Sequence, residues 1–450
     1  MEKTVKNENI ADGGLKKTLG FVPALAIVVG MVIGSGVFFK PTAVFTATGA
    51  PGLGLLAWVV GGIITICGGL TVAEIAAAIP KTGGMITYLE ESYGPMWSFL
   101  LGWAQSVIYF PAVIAALSII FATQAISLMG LSDGMLNPIA IATIAFLILM
   151  NSFGSKTGGM IQTVATVGKL IPLIAIIIVG LMYDGGGVAR LLPMTDINHP
   201  VATGLGSALI GIMFAYDGWM NVGALAGEMK NPGKDLPKAI IGGLSLAMGV
   251  YLLINTAYLF ALPASALAAT PTPAADVAKV LFGESGGKII TIGILISIFG
   301  ALNGYIMTGI RIPYAMATEN QLPFSKVLSK LSPKFGTPVN SGILILVISI
   351  VMVFSGKFDQ LTDLVMFVIW IFYTMTFGAV FVLRKKQPDL VRPYKVPFYP
   401  VVPIIGILGG AYIVINTIVT QPMNAGIGLA LTAVGLPVYF ARKSKFTKLK

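Results

Sequence analysis

Three residues in the first long apolar run, Gly34-Ser35-Gly36, interrupt a stretch that otherwise suits a membrane helix, since glycine is a poor helix former. The run reads VGMVIGSGVFFKP, and the sixth apolar run, GIMFAYDGWMNVG, has a similar interruption at 216–218. Unwinding frees main-chain N–H and C=O groups, which hydrocarbon penalises unless a cavity or a partner satisfies them. A zwitterion offers both partners, because its carboxylate accepts from N–H groups at a half-helix start and its ammonium donates to carbonyls at a half-helix end. The chemistry indicated here is recognition of a zwitterion by main-chain groups.

Three ionisable side chains, Lys40, Lys169 and Asp217, fall inside apolar runs, where charge is costly and usually functional. Lys169 lies about nine residues into its run, roughly 13 Å along a helix. It is therefore either a functional cation, which we favour, or a lysine that snorkels to the surface. Asp217 either presents a carboxylate to a cationic substrate or a proton, or caps a second half-helix. We favour the cap, because nothing else in the two interrupted segments adds negative charge.

The elements that must position these residues are membrane helices. The chain has 450 residues, 56% of them hydrophobic and 10% charged, with a mean hydropathy of +0.88. Such values lie far from those of soluble domains and indicate a polytopic membrane protein. Runs near the roughly 20 apolar residues that span a bilayer give twelve candidate helices.

Membrane sidedness explains the net charge of +11 better than nucleic-acid binding does. With both termini on one side, the opposite loops hold only Arg190, Lys279, Lys288 and Lys357. The positive-inside rule then places both termini in the cytoplasm, in agreement with an even number of spans. We expect a multi-pass protein of the cell (plasma) membrane, in contact with the lipid bilayer and without a nucleic-acid partner.

Other functional classes find less support in the residues. The single cysteine, Cys67, and the single histidine, His199, give no disulfide framework, and we expect no metal and no cofactor. No Ser/His or paired Asp constellation occurs within the spans, so we do not expect an enzyme. The spans are too apolar for the polar path of a channel. A transporter-like sensor stays an alternative, which the short tails do not favour.

The two interrupted segments also align with each other. Gly30 matches Gly211 and Gly34 matches Ala215 when one is laid on the other, with five spans between them. An odd number of spans per unit inverts the second copy, and paired interruptions in inverted halves indicate a binding site at the membrane midplane. A coincidental pair of packing glycines remains the alternative.

Four stretches resemble the amino acid, polyamine and organocation (APC) transporter superfamily, in particular bacterial members of its L-amino-acid transporter branch. They read GMVIGSGVFFKP in the first span, AEIAAAIPKTGGMITYL at 73–89, FAYDGWMNVGALAGEMKNPGKDLPKAI at 214–240 and RPYKVPFYPVVP at 392–403. Within that branch the chain is similar to exchangers of the alanine, serine and cysteine type. The resemblance implies an all-α membrane protein of twelve transmembrane helices, with a LeuT-like 5+5 inverted repeat and two C-terminal helices.

The domain organisation follows from this resemblance. Residues 1–18 are expected to form a cytoplasmic tail, 19–183 the first repeat, 202–383 the second repeat, 399–441 the last two helices and 442–450 a second cytoplasmic tail. The resemblance also implies alternating access, in which spans 1, 2, 6 and 7 rock against a scaffold built largely from spans 3, 4, 8 and 9.

The resemblance assigns the substrate site to the two interruptions. The residues implied on span 1 are Val32, Ile33, Gly34, Ser35 and Gly36, and those on span 6 are Phe214, Ala215, Tyr216 and Asp217. Ser35 and Gly36 are expected to offer N–H groups to a carboxylate. Carbonyls of 214–216 are expected to receive the ammonium, with the ring of Phe214 capping the pocket from outside.

Coupling residues are implied in the same way. In related sodium-coupled transporters a cation sits between helices 1, 5 and 8, and a lysine on helix 5 takes that place in several members of the superfamily. Lys169 is expected to be this built-in cation, bound to carbonyls near Gly30 to Ile33 and helped by Ser297. Tyr251 is either a tie between the lysine and the moving helices or an ordinary packing residue.

The predicted function is a sodium-independent exchanger of small neutral L-amino acids such as alanine, serine and cysteine. A proton-coupled symporter and a cationic amino acid transporter that uses Asp217 are the alternatives. The loop MGLSDGMLNP lacks the cysteine by which eukaryotic members bind a heavy chain, so no disulfide-linked partner is expected. Glu74 and Glu228 are expected to pair with basic loop residues, either as an inner gate or as static surface contacts.

Overall fold

The chain folds into helices that are long, apolar and tightly packed. The computed structural model describes residues 20–80, 84–197, 199–220 and 229–446, and every regular element within those ranges is a helix. In chain order the α-helices are α1 (Phe21–Val32), α2 (Gly36–Thr48), α3 (Pro51–Ala78), α4 (Met85–Tyr93), α5 (Pro95–Ala104), α6 (Phe110–Met129), α7 (Leu136–Ser152), α8 (Ser155–Leu181), α9 (Val201–Ala215), α10 (Pro232–Ala261), α11 (Ala264–Ala269), α12 (Pro273–Gly309), α13 (Arg311–Thr318), α14 (Ser325–Leu328), α15 (Val339–Ser355), α16 (Phe358–Lys386), α17 (Val401–Thr420), α18 (Pro422–Ala433) and α19 (Gly435–Phe446).

The spans account for most of these helices. Within the described ranges, eight helical stretches are long and apolar enough to cross a membrane, and α1 with α2 adds a ninth, bent by 47°. Three shorter apolar helices, Gly168–Leu181, Val201–Ala215 and Val339–Ser355, overlap the predicted fifth, sixth and ninth spans at 160–183, 202–226 and 339–355. The prediction of a multi-span all-α membrane protein is confirmed. The count of twelve and the domain boundaries stay predictions, and the tail 1–18 lies outside the described residues.

Several contacts between a helix of the first five spans and a helix of the next five have counterparts in which the two sets of spans trade places. α1 packs against α10 as α9 packs against α3, and α8 packs against α12 as α16 packs against α6. α7 likewise packs against α12 as α15 packs against α6, and α3 packs against α10. A pseudo-two-fold axis between two five-helix units produces this kind of pairing.

Glycines let α3 approach its neighbours closely. A Cβ added to Gly61 would lie 2.6 Å from the side chain of Ile212 on α9. A Cβ on Gly68 would lie 2.5 Å from the ring of Phe377 on α16. The expectation that GGIITICGG at 61–69 serves helix packing agrees with these distances.

Glu74 joins α3 to α16 and to the loop that follows α16. Its carboxylate accepts from Arg384 at 2.7 and 2.9 Å and from the main-chain N–H of Val396 at 2.7 Å, and Arg392 Nε lies 3.5 Å away. The expected pairing with basic residues is present, and because Glu74 is only 1% exposed it is not a surface contact. Glu228 lies outside the described residues.

Candidate functional site

The first span breaks where the sequence predicts it. α1 ends at Val32, α2 begins at Gly36, and the N–H of Ile33 closes the last turn of α1 onto Val29 O at 2.9 Å. Within the described part of the chain, the N–H groups of Ser35 and Gly36 donate to no main-chain carbonyl. These two donors are thus free at the start of a half-helix, where the helix dipole favours an anion.

The sixth span is interrupted at the corresponding place. α9 ends at Ala215, and Gly218 has a φ of +100°, a conformation that residues with a side chain rarely adopt. A Cβ on Gly218 would also lie 3.1 Å from Met31 O of the first span. The two interruptions therefore lie against each other.

A cavity of about 450 Å³ opens between the two interruptions. Of the nine predicted substrate residues, seven are on its wall: Val32, Gly34, Ser35, Gly36, Phe214, Ala215 and Asp217. Most of the remaining wall comes from α8 and α12. Main-chain groups of both broken helices and side chains of the neighbouring spans thus surround one common space.

Two of the predicted substrate residues, Ile33 and Tyr216, are not on this wall. The Tyr216 ring packs against Trp58 and Tyr251, at centroid distances of 6.2 and 4.9 Å, and its hydroxyl donates to Trp58 O at 3.2 Å. Ile33 is buried in the apolar core. Neither side chain faces the cavity, because helix packing turns both into the apolar core. The contact expected of the Tyr216 carbonyl stays a prediction.

Lys169 reaches the broken end of α1. Its Nζ lies 2.6 Å from Gly30 O, and its side chain forms part of the cavity wall. Ser297 of α12 is also on the wall, but its hydroxyl has no hydrogen-bond partner among the described residues and does not bind the lysine. The structure therefore places the ammonium at a carbonyl of the interrupted helix and corrects the expected contact with Ser297.

Tyr251 of α10 has a different position from the one expected. Its hydroxyl lies 2.6 Å from Val32 O and 2.6 Å from Ala215 O, the last carbonyls of α1 and α9. It ties the two broken ends to each other and makes no hydrogen bond to Lys169. The expectation of a direct tie to the lysine is corrected in that respect, and a merely apolar packing role does not fit these two contacts.

Asp217 has its own set of partners. Its carboxylate is buried and accepts hydrogen bonds from the hydroxyls of Tyr109 on the π-helical turn Gln105–Tyr109 and of Tyr373 on α16, the latter at 2.8 Å. The cap expected of Asp217 stays a prediction, because residues 221–228 lie outside the described residues. The observed contacts of the carboxylate are with two other spans.

The sequence analysis missed Tyr109, Tyr305 and Tyr373. Tyr305 is on the cavity wall, and its ring centroid lies 6.3 Å from that of Tyr109. A π-helical turn aims Tyr109 inward, and such turns are frequent at functional sites. The available signal was Pro111 in the middle of an apolar run, since proline removes a main-chain donor and disturbs the helix before it.

Lys40 lies behind the cavity wall, next to Phe214. It is fully buried, and its Nζ lies 2.7 Å from Asp359 Oδ1 and 2.7 Å from Thr362 Oγ1 at the start of α16. The ammonium also stands over the rings of Phe214 and Phe358, 5.4 and 4.7 Å from their centroids. The ring of Phe214 is thus held between the cavity and this ion pair.

Interrupted helices that meet at a buried cavity, within a bundle of apolar spans, define the class of secondary transporters. The chain belongs to the amino acid permease family, whose model matches residues 19–438. Similar proteins include the serine/threonine exchanger SteT of Bacillus subtilis, at 43% identity over 96% of this chain and 98% of that protein. The human large neutral amino acids transporter small subunit 2 is 31% identical over 95% of this chain and 80% of its own. The mouse Asc-type amino acid transporter 1 is 30% identical over 95% and 81%.

Proposed function

We propose that this chain is a sodium-independent exchanger of small neutral L-amino acids, among them serine, threonine, alanine and cysteine. The observation that carries the proposal is the cavity between the two interrupted helices, lined by Ser35 and Gly36, whose N–H groups donate to no described main-chain carbonyl. These donors bind the substrate carboxylate, and carbonyls of the interrupted sixth span bind the ammonium. The names of the similar proteins, which include a serine/threonine exchanger and an Asc-type transporter, support the substrate class and exchange.

Sodium independence is inferred from Lys169. Its ammonium, 2.6 Å from Gly30 O, already supplies a fixed positive charge at a carbonyl of the broken helix. A bound cation there neutralises carbonyl dipoles that the break leaves without helical donors. A second, mobile cation at the same carbonyls would be repelled by the ammonium.

A neutral substrate fits the partners of Asp217 better than a cationic one. Its two oxygens accept from the hydroxyls of Tyr109 and Tyr373, so about half of its roughly four acceptor positions already bind neighbouring spans. A small side chain fits because Phe214, Phe110 and Tyr305 occupy the wall. These residues limit the space beside the carboxylate and the ammonium of the substrate.

We further propose two inverted repeats, 19–183 and 202–383, that alternate access to the site from the two sides. The matching helix contacts in the two sets of five spans support this organisation. The chain is placed in the plasma membrane with both termini in the cytoplasm, as the distribution of Lys and Arg predicts. It works without a disulfide-linked subunit, since Cys67 is buried and the segment 130–135 between α6 and α7 holds no cysteine.

The test uses purified protein in liposomes that contain either unlabelled serine or no amino acid. We expect labelled serine to enter the loaded vesicles only, at rates that do not change when sodium is replaced by choline. Unlabelled alanine and threonine should compete, and arginine and leucine should compete weakly. Uptake into empty vesicles that follows an imposed proton gradient would instead support a proton-coupled symporter.

A further inference from the structure

The segment between α13 and α15, residues 322–336, exposes an unusual combination of side chains. Four large apolar residues are exposed along it, Phe324, Val327, Leu331 and Phe335, and Phe324 reaches 78% exposure. In water such an array is unfavourable and marks a surface that meets another phase or molecule. The segment connects the end of a span, Thr318, to the start of α15 at Val339, and therefore lies at a membrane surface.

Three lysines alternate with these apolar residues. Lys326, Lys330 and Lys334 are exposed and form no salt bridge with any residue that the structure describes. Lys334 Nζ stands 5.2 Å from the centroid of the Phe335 ring. No acidic residue occurs between 320 and 338, so the positive charge of the segment is locally uncompensated.

Buried side chains and hydrogen bonds hold the segment against the rest of the protein along its length. Leu322 and Leu328 are buried beneath it. Side chains at the start of α15 bind its main chain, Asn340 to Val327 O at 2.8 Å and Ser341 to Leu328 O at 3.1 Å. The exposed residues therefore belong to an ordered segment that is fixed to α15.

We propose that residues 322–336 form a binding surface for anionic phospholipids. The four apolar side chains insert below the head groups, and the three lysines bind the lipid phosphates. The lysines belong to the side that the sequence predicts to be cytoplasmic, where anionic lipids attract basic segments. The surface is separate from the cavity, and the proposal does not depend on which amino acid is transported.

The test is native mass spectrometry of the full chain in detergent, titrated with phosphatidylglycerol or phosphatidylcholine of identical acyl chains. We expect tighter binding of phosphatidylglycerol in the natural protein. The triple variant K326Q/K330Q/K334Q should lose this preference, with its affinity for phosphatidylglycerol falling by about fivefold per lysine. The matched control K230Q/K234Q/K238Q changes three other exposed lysines, which the sequence also predicts to be cytoplasmic, and should keep the preference.

The outcomes distinguish a specific lipid-binding surface at 322–336 from non-specific attraction between anionic lipids and any exposed lysine. An unchanged preference in the first triple variant, or an equal loss in both, would overturn the proposal. The variant Phe324→Ser should weaken binding of both lipids while keeping their ratio, and unchanged binding would contradict the insertion of the apolar side chains. If the triple variant does not fold, Lys330→Gln alone carries the test, with an expected loss of about fivefold.

Discussion

Two buried charges at the site, Lys169 and Asp217, differ in the partners that they find. Lys169 has one described hydrogen bond, to a main-chain carbonyl of the broken first span, and faces the cavity. Asp217 accepts from two tyrosine hydroxyls on two other spans. The lysine therefore borders the cavity, whereas the carboxylate is bound to neighbouring spans.

Replacing Lys169 with alanine should reduce exchange about tenfold to a hundredfold, because a charge-assisted hydrogen bond to Gly30 O is worth about 1.5–3 kcal/mol. The measurement is serine exchange in liposomes, with folding checked by size-exclusion elution and thermal unfolding. Lys288→Ala, at an exposed lysine, is the control and should exchange normally. Full activity of the Lys169 variant would mean that the ammonium has no part in transport.

Replacing Asp217 with asparagine keeps the shape and removes the charge. We expect a loss of about 1–3 kcal/mol in stability, because two tyrosine hydroxyls lose their acceptor carboxylate. Serine should remain preferred over arginine. The measurements are thermal unfolding and competition by both amino acids. Arginine uptake by the natural protein that disappears in the variant would instead assign Asp217 to the recognition of a cationic substrate.

At the scale of elements, the half-helix α2 is fixed from two sides. Gly36 lies against α9, and Lys40 is paired with α16. Because α2 is not joined to α1 by continuous helical hydrogen bonds, its position depends on contacts with neighbouring helices. The break therefore frees main-chain N–H groups at the start of α2. The contacts of α2 with α9 and α16 determine the direction in which these groups point.

The contact at Gly36 has no room for a side chain. A Cβ there would lie 2.7 Å from Ala215 Cα, so Gly36→Ala should push α2 and α9 apart, lower stability by about 1–3 kcal/mol and strongly reduce exchange. The control is Gly249→Ala on α10, where a Cβ would meet nothing within 4 Å. Equal behaviour of the two variants would show that the close approach is unimportant.

The pair of Lys40 with Asp359 is buried on the lysine side only, since the Asp359 side chain is 54% exposed. Asp359→Asn leaves the buried ammonium without its nearest carboxylate, and we expect a loss of about 1–3 kcal/mol. Lys40→Met should cost less, because the carboxylate that it leaves behind is solvated. Thermal unfolding of Lys40→Met, Asp359→Asn and the double variant forms a cycle that isolates the pair. The double variant should be less destabilised than the sum of the single variants, and strict additivity would contradict a direct interaction.

At the scale of the whole molecule, a buried carboxylate links distant parts of the chain. Glu74 on α3 binds Arg384 on α16 and the loop at Val396. Burial and the charge of Glu74 also raise the pKa of the nearby Tyr394 hydroxyl to about 12. The loop, which carries the RPYKVPFYP sequence, is thereby fastened across the ends of two spans.

Glu74→Gln should destabilise the whole molecule, because the guanidinium of Arg384 and the N–H of Val396 lose a charged acceptor. We expect a cost of about 3–5 kcal/mol, seen as a lower midpoint of thermal unfolding. The control Glu284→Gln changes an exposed carboxylate and should leave the midpoint unchanged. A midpoint equal to that of the natural protein would show the contact to be energetically neutral.

The sequence by itself determined the class of fold, the two breaks and the position of Lys169 within an apolar span. These features are legible because hydrocarbon penalises charge and unpaired main-chain groups wherever they occur along the chain. The tertiary structure decided the partners. Gly30 and Lys169 are 139 residues apart and Tyr109 and Asp217 are 108 apart, so neither pairing has a local signal. It also decided which residues at the breaks face the cavity, because helix packing, rather than residue type, turned Ile33 and Tyr216 away from it.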